Sequence, residues 1–326
     1  MSQLTAPPTF LDETPTLRGI RIAEPGALLW QRVAMLLITI IPLVGVVAAV
    51  VALWGNGISG VDLGLLLGFY FFTGFGVTVG FHRLFTHKSF KAARSVRVVL
   101  AAAGSMGIQG SVNDWVAAHR RHHAYSDKTG DPHSPHVDSS GGSVGMLRGL
   151  WYAHLGWMFA RDVTVQETWA PDLLRDPDMR RISAAFPWVV LVSFVAPAVL
   201  GGLITTSWIG ALTGFLWGGL VRIFLLHHVT WSINSICHVF GTRPFDSHDE
   251  ARNNAAMAVI GFGEGWHNAH HAFPSSARHG LRWWELDLSY LLIRGLALVR
   301  LARGIKVPSP AQIARRLRAR QLDATA

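Results

Sequence analysis

Residues 265–271 read GWHNAHH and residues 118–124 read AHRRHHA. In each, three histidines stand at i, i+3 and i+4 (His267, His270, His271 and His119, His122, His123), the spacing that puts them on one face of a helix. A third stretch, FHRLFTH at 81–87, carries His82 and His87. Five residues turn a regular α-helix about 140° past a full turn, so a helix end or a local distortion must lie between them. Asn234 and His238, at i and i+4, form a fourth group. Neutral buried imidazoles need partners, and protonated ones would repel one another. A shared metal resolves both problems, and nine imidazoles exceed the coordination number of one ion, so two ions are implied. Imidazole suits zinc, copper, iron and nickel. A closed structural zinc site has four ligands and usually includes cysteine, whereas an all-nitrogen shell with room for water suits redox iron that binds dioxygen.

These groups must be carried to one place. Of 326 residues, 50 % are hydrophobic and only 15 % charged, against about a quarter charged in ordinary soluble domains. Uncharged runs cover Val33–Trp54, Leu63–Phe81 and Ile182–Val221, 22, 19 and 40 residues long. A helix crosses a ~30 Å hydrocarbon core with about 20 residues, so the first two runs span once each and the third twice. The expected fold is all-α and integral to a membrane, with four transmembrane helices in two hairpins (about 31–54 and 60–81, then 184–204 and 208–230). A cap built from 82–183 and 231–300 carries the histidines. Residues 1–27 form a tail, 28–300 a single membrane domain, and 301–326 a basic C-terminal tail. The polar, proline-containing start argues against a signal peptide.

Lys and Arg number three in 1–32, thirteen in 81–185 and twelve in 228–326; Arg222 completes the 29. The two short connections hold none, so the positive-inside rule places both termini and the histidine groups in the cytosol, at the cytoplasmic membrane. The basic residues flank membrane segments rather than one reading element, which gives no support for nucleic-acid binding. Arg222, inside the fourth span, is expected to snorkel to the interface. Val98–Val112 is too short to span and reads as one buried or membrane-surface helix. Ala311–Gln321 is an amphipathic helix on anionic lipid or a solvated one. Cys237, the sole cysteine, rules out an internal disulfide and is expected to pack. GFGVTVG at 74–80 reads as close helix packing rather than a nucleotide loop, because no strand precedes it.

The ordered boxes HRLFTH, HRRHH and HNAHH, with NDWVAAHRRHHAYSDKTGDPHSP, NSICHVFGTRPF and GEGWHNAHHAFPSSARHGLRWWELD, resemble the membrane fatty-acid desaturases, in particular the acyl-CoA (stearoyl-CoA) Δ9 group in its bacterial form. The resemblance covers roughly 30–300. It implies two Fe ions in a di-iron site with O2 as co-substrate, inserting a cis double bond into a long-chain acyl-CoA, or alternatively an acyl lipid. The implied ligands are His82, His87, His119, His122, His123, His238, His267, His270 and His271, with Asn234 holding a water on one iron. An apolar tunnel lined by Trp115, Trp231 and Trp266 would take the chain. Asp114, Asp127, Asp131, Asp246, Asp249 and Glu264 are candidates to orient imidazoles. The other seven histidines, among them His133, His248 and His279, read as packing or surface groups. The HPGG signature of a fused cytochrome b5 domain is absent, so the expected electron donor is a separate ferredoxin or NAD(P)H oxidoreductase. A related hydroxylase is the rival within the same chemistry. A metal transporter is the rival outside it, and it would bring ionisable groups to the bilayer midplane.

Overall fold

The computed structural model describes residues 17–138 and 141–317. The chain is mostly helical, and four of its helices are long and apolar enough to cross a membrane. They are α1 (Pro25–Asn56), α2 (Gly60–Thr86), α6 (Phe186–Thr205) and α7 (Trp208–His238). Between the second and third lie α3 (Arg94–Ser105), α4 (Val112–Tyr125) and α5 (Met146–His154). After the fourth come α8 (Ala255–Ile260), α9 (His267–Ala272), α10 (Leu288–Leu298) and α11 (Pro310–Arg316). Two short antiparallel ribbons, Ile20–Ile22 with Asp162–Thr164 and Lys91–Ala92 with Ala302–Arg303, tie the ends of the chain to the cap.

The spans α2 and α7 have 27 and 31 residues, about 40 and 46 Å at 1.5 Å per residue. Both exceed a ~30 Å core and run in the same direction. Their C-terminal ends therefore emerge together on one side, carrying His82 and His238 with them. Trp30 and Trp54 on α1 are 74 % and 89 % exposed. They stand about 36 Å apart along the helix, the separation of two interfacial aromatic belts. Small residues set the helix contacts. A Cβ on Gly76 would lie 2.1 Å from the Gly104 backbone nitrogen, so α2 and α3 cross there in near-contact, as the 74–80 glycines suggested. A Cβ on Gly201 would lie 2.2 Å from the Gly210 carbonyl oxygen, so the second hairpin closes on this glycine. Helix α1 packs on α7, where Gly45 accommodates Leu220.

Two expectations need correction. Arg222 does not snorkel. It is fully buried, and its guanidinium donates to the carbonyls of Gly218, Met106 and Ser193 and to Ser193 Oγ at 2.8–3.0 Å. Acceptors on α6 and on the turn after α3 reach it more closely than the interface does. The stretch 98–112 is not one helix either. It ends at Ser105, and the turn after it holds Ile108 and Gly110 at φ 56° and 102°. Cys237 is buried.

The tail helix α11 lies on protein. Ile313 and Leu317 pack against Phe245, Ala269 and Ala272, behind the last histidine box. The remainder of the 311–321 expectation falls outside the described residues.

Candidate metal centre and the adjoining cavity

The histidines are placed by local devices that the sequence prepares. Ser111 caps α4, accepting from the Asp114 backbone N–H, while Asp114 Oδ2 accepts from Ser111 Oγ at 2.6 Å. Asp114 is thus spent on the cap and on Gln166. His82 and His87 are brought together by a π-helical stretch, Gly76–Thr86, that ends in a bond from His87 N–H to the His82 carbonyl at 3.1 Å. An i to i+5 bond returns the chain after five residues, which is the distortion the pair requires. Short α9 presents the last triplet, and α7 ends in a tight turn at Ile236–His238.

The nine imidazoles fall into two groups. His82, His87, His119, His123 and His270 converge in one, and His122, His238, His267 and His271 in the other, with ligand nitrogens in each within 4.8 Å of one another. Within them, Nε2 atoms face Nε2 atoms: His82–His270, His123–His270 and His238–His267 at 3.0 Å, and His119–His123 at 3.2 Å. Cis ligands of an octahedral ion with metal–nitrogen bonds of about 2.1 Å stand about 3 Å apart. His87, His122 and His271 each have a buried Nε2 without a hydrogen-bond partner. Lone pairs aimed at a common point, buried and unpartnered, fit a metal in each group.

Carboxylates fix the ring tautomers. Nδ1–H donates from His122 to Asp131 (2.9 Å), from His238 to Asp127 (2.8 Å), from His271 to Asp249 (2.6 Å) and from His82 to Glu264 (2.5 Å). This leaves each Nε2 lone pair free for a cation. Of the six acids considered from sequence, these four meet imidazoles. Asp114 does not, and Asp246 contributes its backbone N–H to the Arg316 carbonyl.

Burial and neighbouring imidazoles keep His87, His119, His123, His267 and His270 well below the usual histidine range, hence neutral and able to ligate. Burial takes His271 to about 4, although Asp249 beside it acts the other way. Burial would raise Asp131, but the adjacent His122 outweighs it and leaves the acid at about 2.

A cavity of about 560 Å³ opens beside both groups. His82, His119 and His267 border it, as do Asn234, Trp115 and Trp231, between α1, α2, α7 and Phe262. Trp115 stacks on His119 at 4.8 Å. It donates to Gln109, which donates to Thr230 at 2.9 Å, a polar chain on a mostly apolar wall. Trp266 is not among the lining residues; it is buried and donates to the Leu286 carbonyl.

Sequence reasoning missed Arg83 and His279. Fully buried Arg83 bridges Glu264, Asp287 and His279 at 2.8–3.1 Å, and the His279 ring lies 4.4 Å from that of His270. A cation adjoining a ligand at the end of a long uncharged run was the available signal for Arg83. His279 had none.

Four helices apolar enough to cross a membrane thus carry two imidazole groups able to hold metal ions beside a mostly apolar cavity. The fatty acid desaturase profile matches residues 59–298, and the chain belongs to that family. It is 46 % identical over 279 residues to the hex-5-enoyl-[acyl-carrier protein] acetylenase of Moorena producens (strain JHB), covering 85 % of this chain and 87 % of that one. It is 35 % identical over 269 residues to the sn-1 stearoyl-lipid 9-desaturase of Anabaena variabilis (82 % and 92 %). It is 36 % identical over 242 residues to the icosanoyl-CoA 5-desaturase of Limnanthes douglasii (73 % and 62 %).

Proposed function

We propose that the protein is a di-iron, O2-dependent desaturase that inserts a cis double bond, at Δ9, into a long saturated acyl chain. The observation that carries this is the cavity running past His82, His119 and His267, the points where both imidazole groups touch an apolar space. The five-imidazole and four-imidazole groups would each hold one iron, with Asn234 placing a water on the second. Bound there, iron supplies the activation of dioxygen that breaking an unactivated C–H bond demands. The reaction consumes one dioxygen, two electrons and two protons and releases two waters, so a one-electron carrier must dock. The basic histidine side, facing the cytosol in this reading, suits an acidic ferredoxin or an NAD(P)H oxidoreductase.

The chain's own residues do the rest. Trp115, Trp231 and Phe262 exclude water and hold the hydrocarbon, and the chain from Trp115 through Gln109 to Thr230 fixes the shape of the wall. The cavity is far roomier than a six-carbon chain requires, which favours a long one. The resemblance points to coenzyme A as carrier, and an intact membrane lipid competes. Two observations favour the lipid: among the described residues no lysine or arginine lines the cavity, and Gln31, Ala34, Met35 and Ile38 of the peripheral helix α1 form part of its wall.

The test is mass spectrometry of lipids from an expressing host, followed by turnover of the purified enzyme on stearoyl-CoA and on stearoyl phospholipid with ferredoxin and its reductase. A new cis-monoene is expected, formed from the phospholipid. Hydroxylated chains in place of alkenes would sink the proposal, and turnover restricted to the thioester would restore coenzyme A as carrier.

A further inference from the structure

We propose that α8 and the turn after it, through Phe262, form a re-entrant wedge in the hydrocarbon of the leaflet on the histidine side, with α10 lying at the headgroup level behind it. The proposal rests on the four spans crossing a bilayer and is independent of the reaction.

Contacts with α2 set the depth. Tyr70 lies ten residues beyond Gly60, about 15 Å along the helix, at the middle of a ~30 Å core. Its hydroxyl donates to the Ile260 carbonyl at 2.8 Å. The Phe262 ring packs against Tyr70, Phe71 and Phe75 at 5.3, 5.2 and 4.9 Å between centroids. It is seated over Gly74, where a Cβ would meet it at 2.2 Å. Further along α2, about 27 Å from its start, Thr78 Oγ1 lies 2.8 Å from Ser289 Oγ on α10. The wedge therefore occupies the inner half of the core and α10 its edge.

The exposed side chains match those depths. Val259 and Ile260 are 58 % and 42 % exposed, continuous with Phe71 and Phe72 on the outer face of α2. On α10, Leu291 and Leu298 are 55 % and 80 % exposed beside Arg294, the apolar-plus-basic pattern of an interfacial helix. Irregular backbone at membrane depth must satisfy its polar groups within the protein, and the turn supplies such bonds. Gly261 N–H donates to Met257, Gly263 to Ala258, Glu264 to Gly261 and Ser289 to the Phe262 carbonyl, at 2.7–3.1 Å. Gly261, Phe262 and Glu264 also line the cavity. An acyl chain can then enter the cavity at a level still inside the hydrocarbon.

Single cysteines at Val259 and Leu298, spin-labelled in the full chain, test this in vesicles of phosphatidylethanolamine and phosphatidylglycerol. Cys237 is buried and stays unlabelled. Leu67→Cys on α2 supplies the lipid-facing control and Arg315→Cys on α11 the aqueous one. Collision with oxygen and with a water-soluble nickel chelate is read by electron paramagnetic resonance. The Val259→Cys label should match the lipid control, with oxygen access retained and nickel access lost. The Leu298→Cys label should fall between the controls. Nickel access at Val259→Cys equal to that at Arg315→Cys would overturn the proposal. So would loss of access to both reagents, which would mean a protein covers the face.

Discussion

The two imidazole groups are built differently. In the four-membered group all rings are buried, and three of them donate to carboxylates, Asp131, Asp127 and Asp249. In the five-membered group only His82 has such a partner, Glu264, and His87 and His123 are partly exposed. A cation in the four-membered group would have its charge offset by three nearby anions and its ligands held in one tautomer. In the five-membered group the same cation would rely on imidazoles that are less constrained, two of which, His82 and His119, face the cavity. One half favours retention of metal, the other access to it. Identical spacing in two sequence triplets does not produce identical sites, because each triplet divides its rings between both groups.

The strongest test of that contrast is removal of a ligand. His267→Ala or His119→Ala should each abolish turnover, and metal analysis should show about one iron lost from two. Full activity with His238→Ala would remove that residue from the second group. Next in size, Asp127→Asn and Asp249→Asn should each weaken metal retention about 10–100-fold. Glu264→Gln should do less, since it touches one ring of five. Chelator treatment of the iron-loaded protein should then release metal in two phases, the faster from the five-membered group, and Asp249→Asn should accelerate only the slower. A single phase unaffected by these variants would erase the distinction.

Acid should act on the metal-free protein through the same rings. The folded pKa values of His87, His119, His123, His267, His270 and His271 lie below the ordinary 6.5, so the unfolded chain binds more protons as pH falls below that point. Stability present above about 6.5 should be lost towards pH 4, by about 1.4 kcal/mol per pH unit for each ring that must charge. Asp127, Asp131 and Asp249, held low, add to the loss only at more acid pH. Unfolding midpoints in detergent between pH 7.5 and 4.5 measure this, and a flat profile would contradict the neutral buried rings. The smallest effect belongs to His248→Ala. That ring is half exposed, and its Nε2 lies 3.3 Å from the His123 carbonyl and 3.8 Å from Asp249 Oδ2, so metal content and turnover should stay within about twofold.

How much was legible varied with how local the cause was. The break between His82 and His87 was required by their spacing alone, and the structure supplies it as a π-helical stretch. The uncharged runs revealed the four spans, because crossing hydrocarbon is a demand on contiguous composition. Arg222 was misread because its acceptors, Met106 and Ser193, lie 116 and 29 residues away. The helix at 98–112 was misread because its end depends on φ angles in the turn after Ser105. Four acids were picked out among six by tertiary proximity, since each sits on a different loop from the ring it orients.

By itself, then, the sequence determined composition-driven properties: a four-span helical frame, one histidine-rich side and nine rings with the spacing of ligands. Those follow from hydrophobic length and helical period, which act over a few turns. Only the tertiary structure decided how the nine rings divide five and four, which carboxylates hold them, that Trp266 turns away from the cavity while Gln109 and Thr230 face it, and that Val259, Ile260, Leu291 and Leu298 on α8 and α10 are exposed. These depend on contacts between separate segments, from nine residues apart for His122 and Asp131 to 188 for His82 and His270, brought together by close helix crossings such as Gly76 on Gly104, and no local pattern encodes which neighbour arrives.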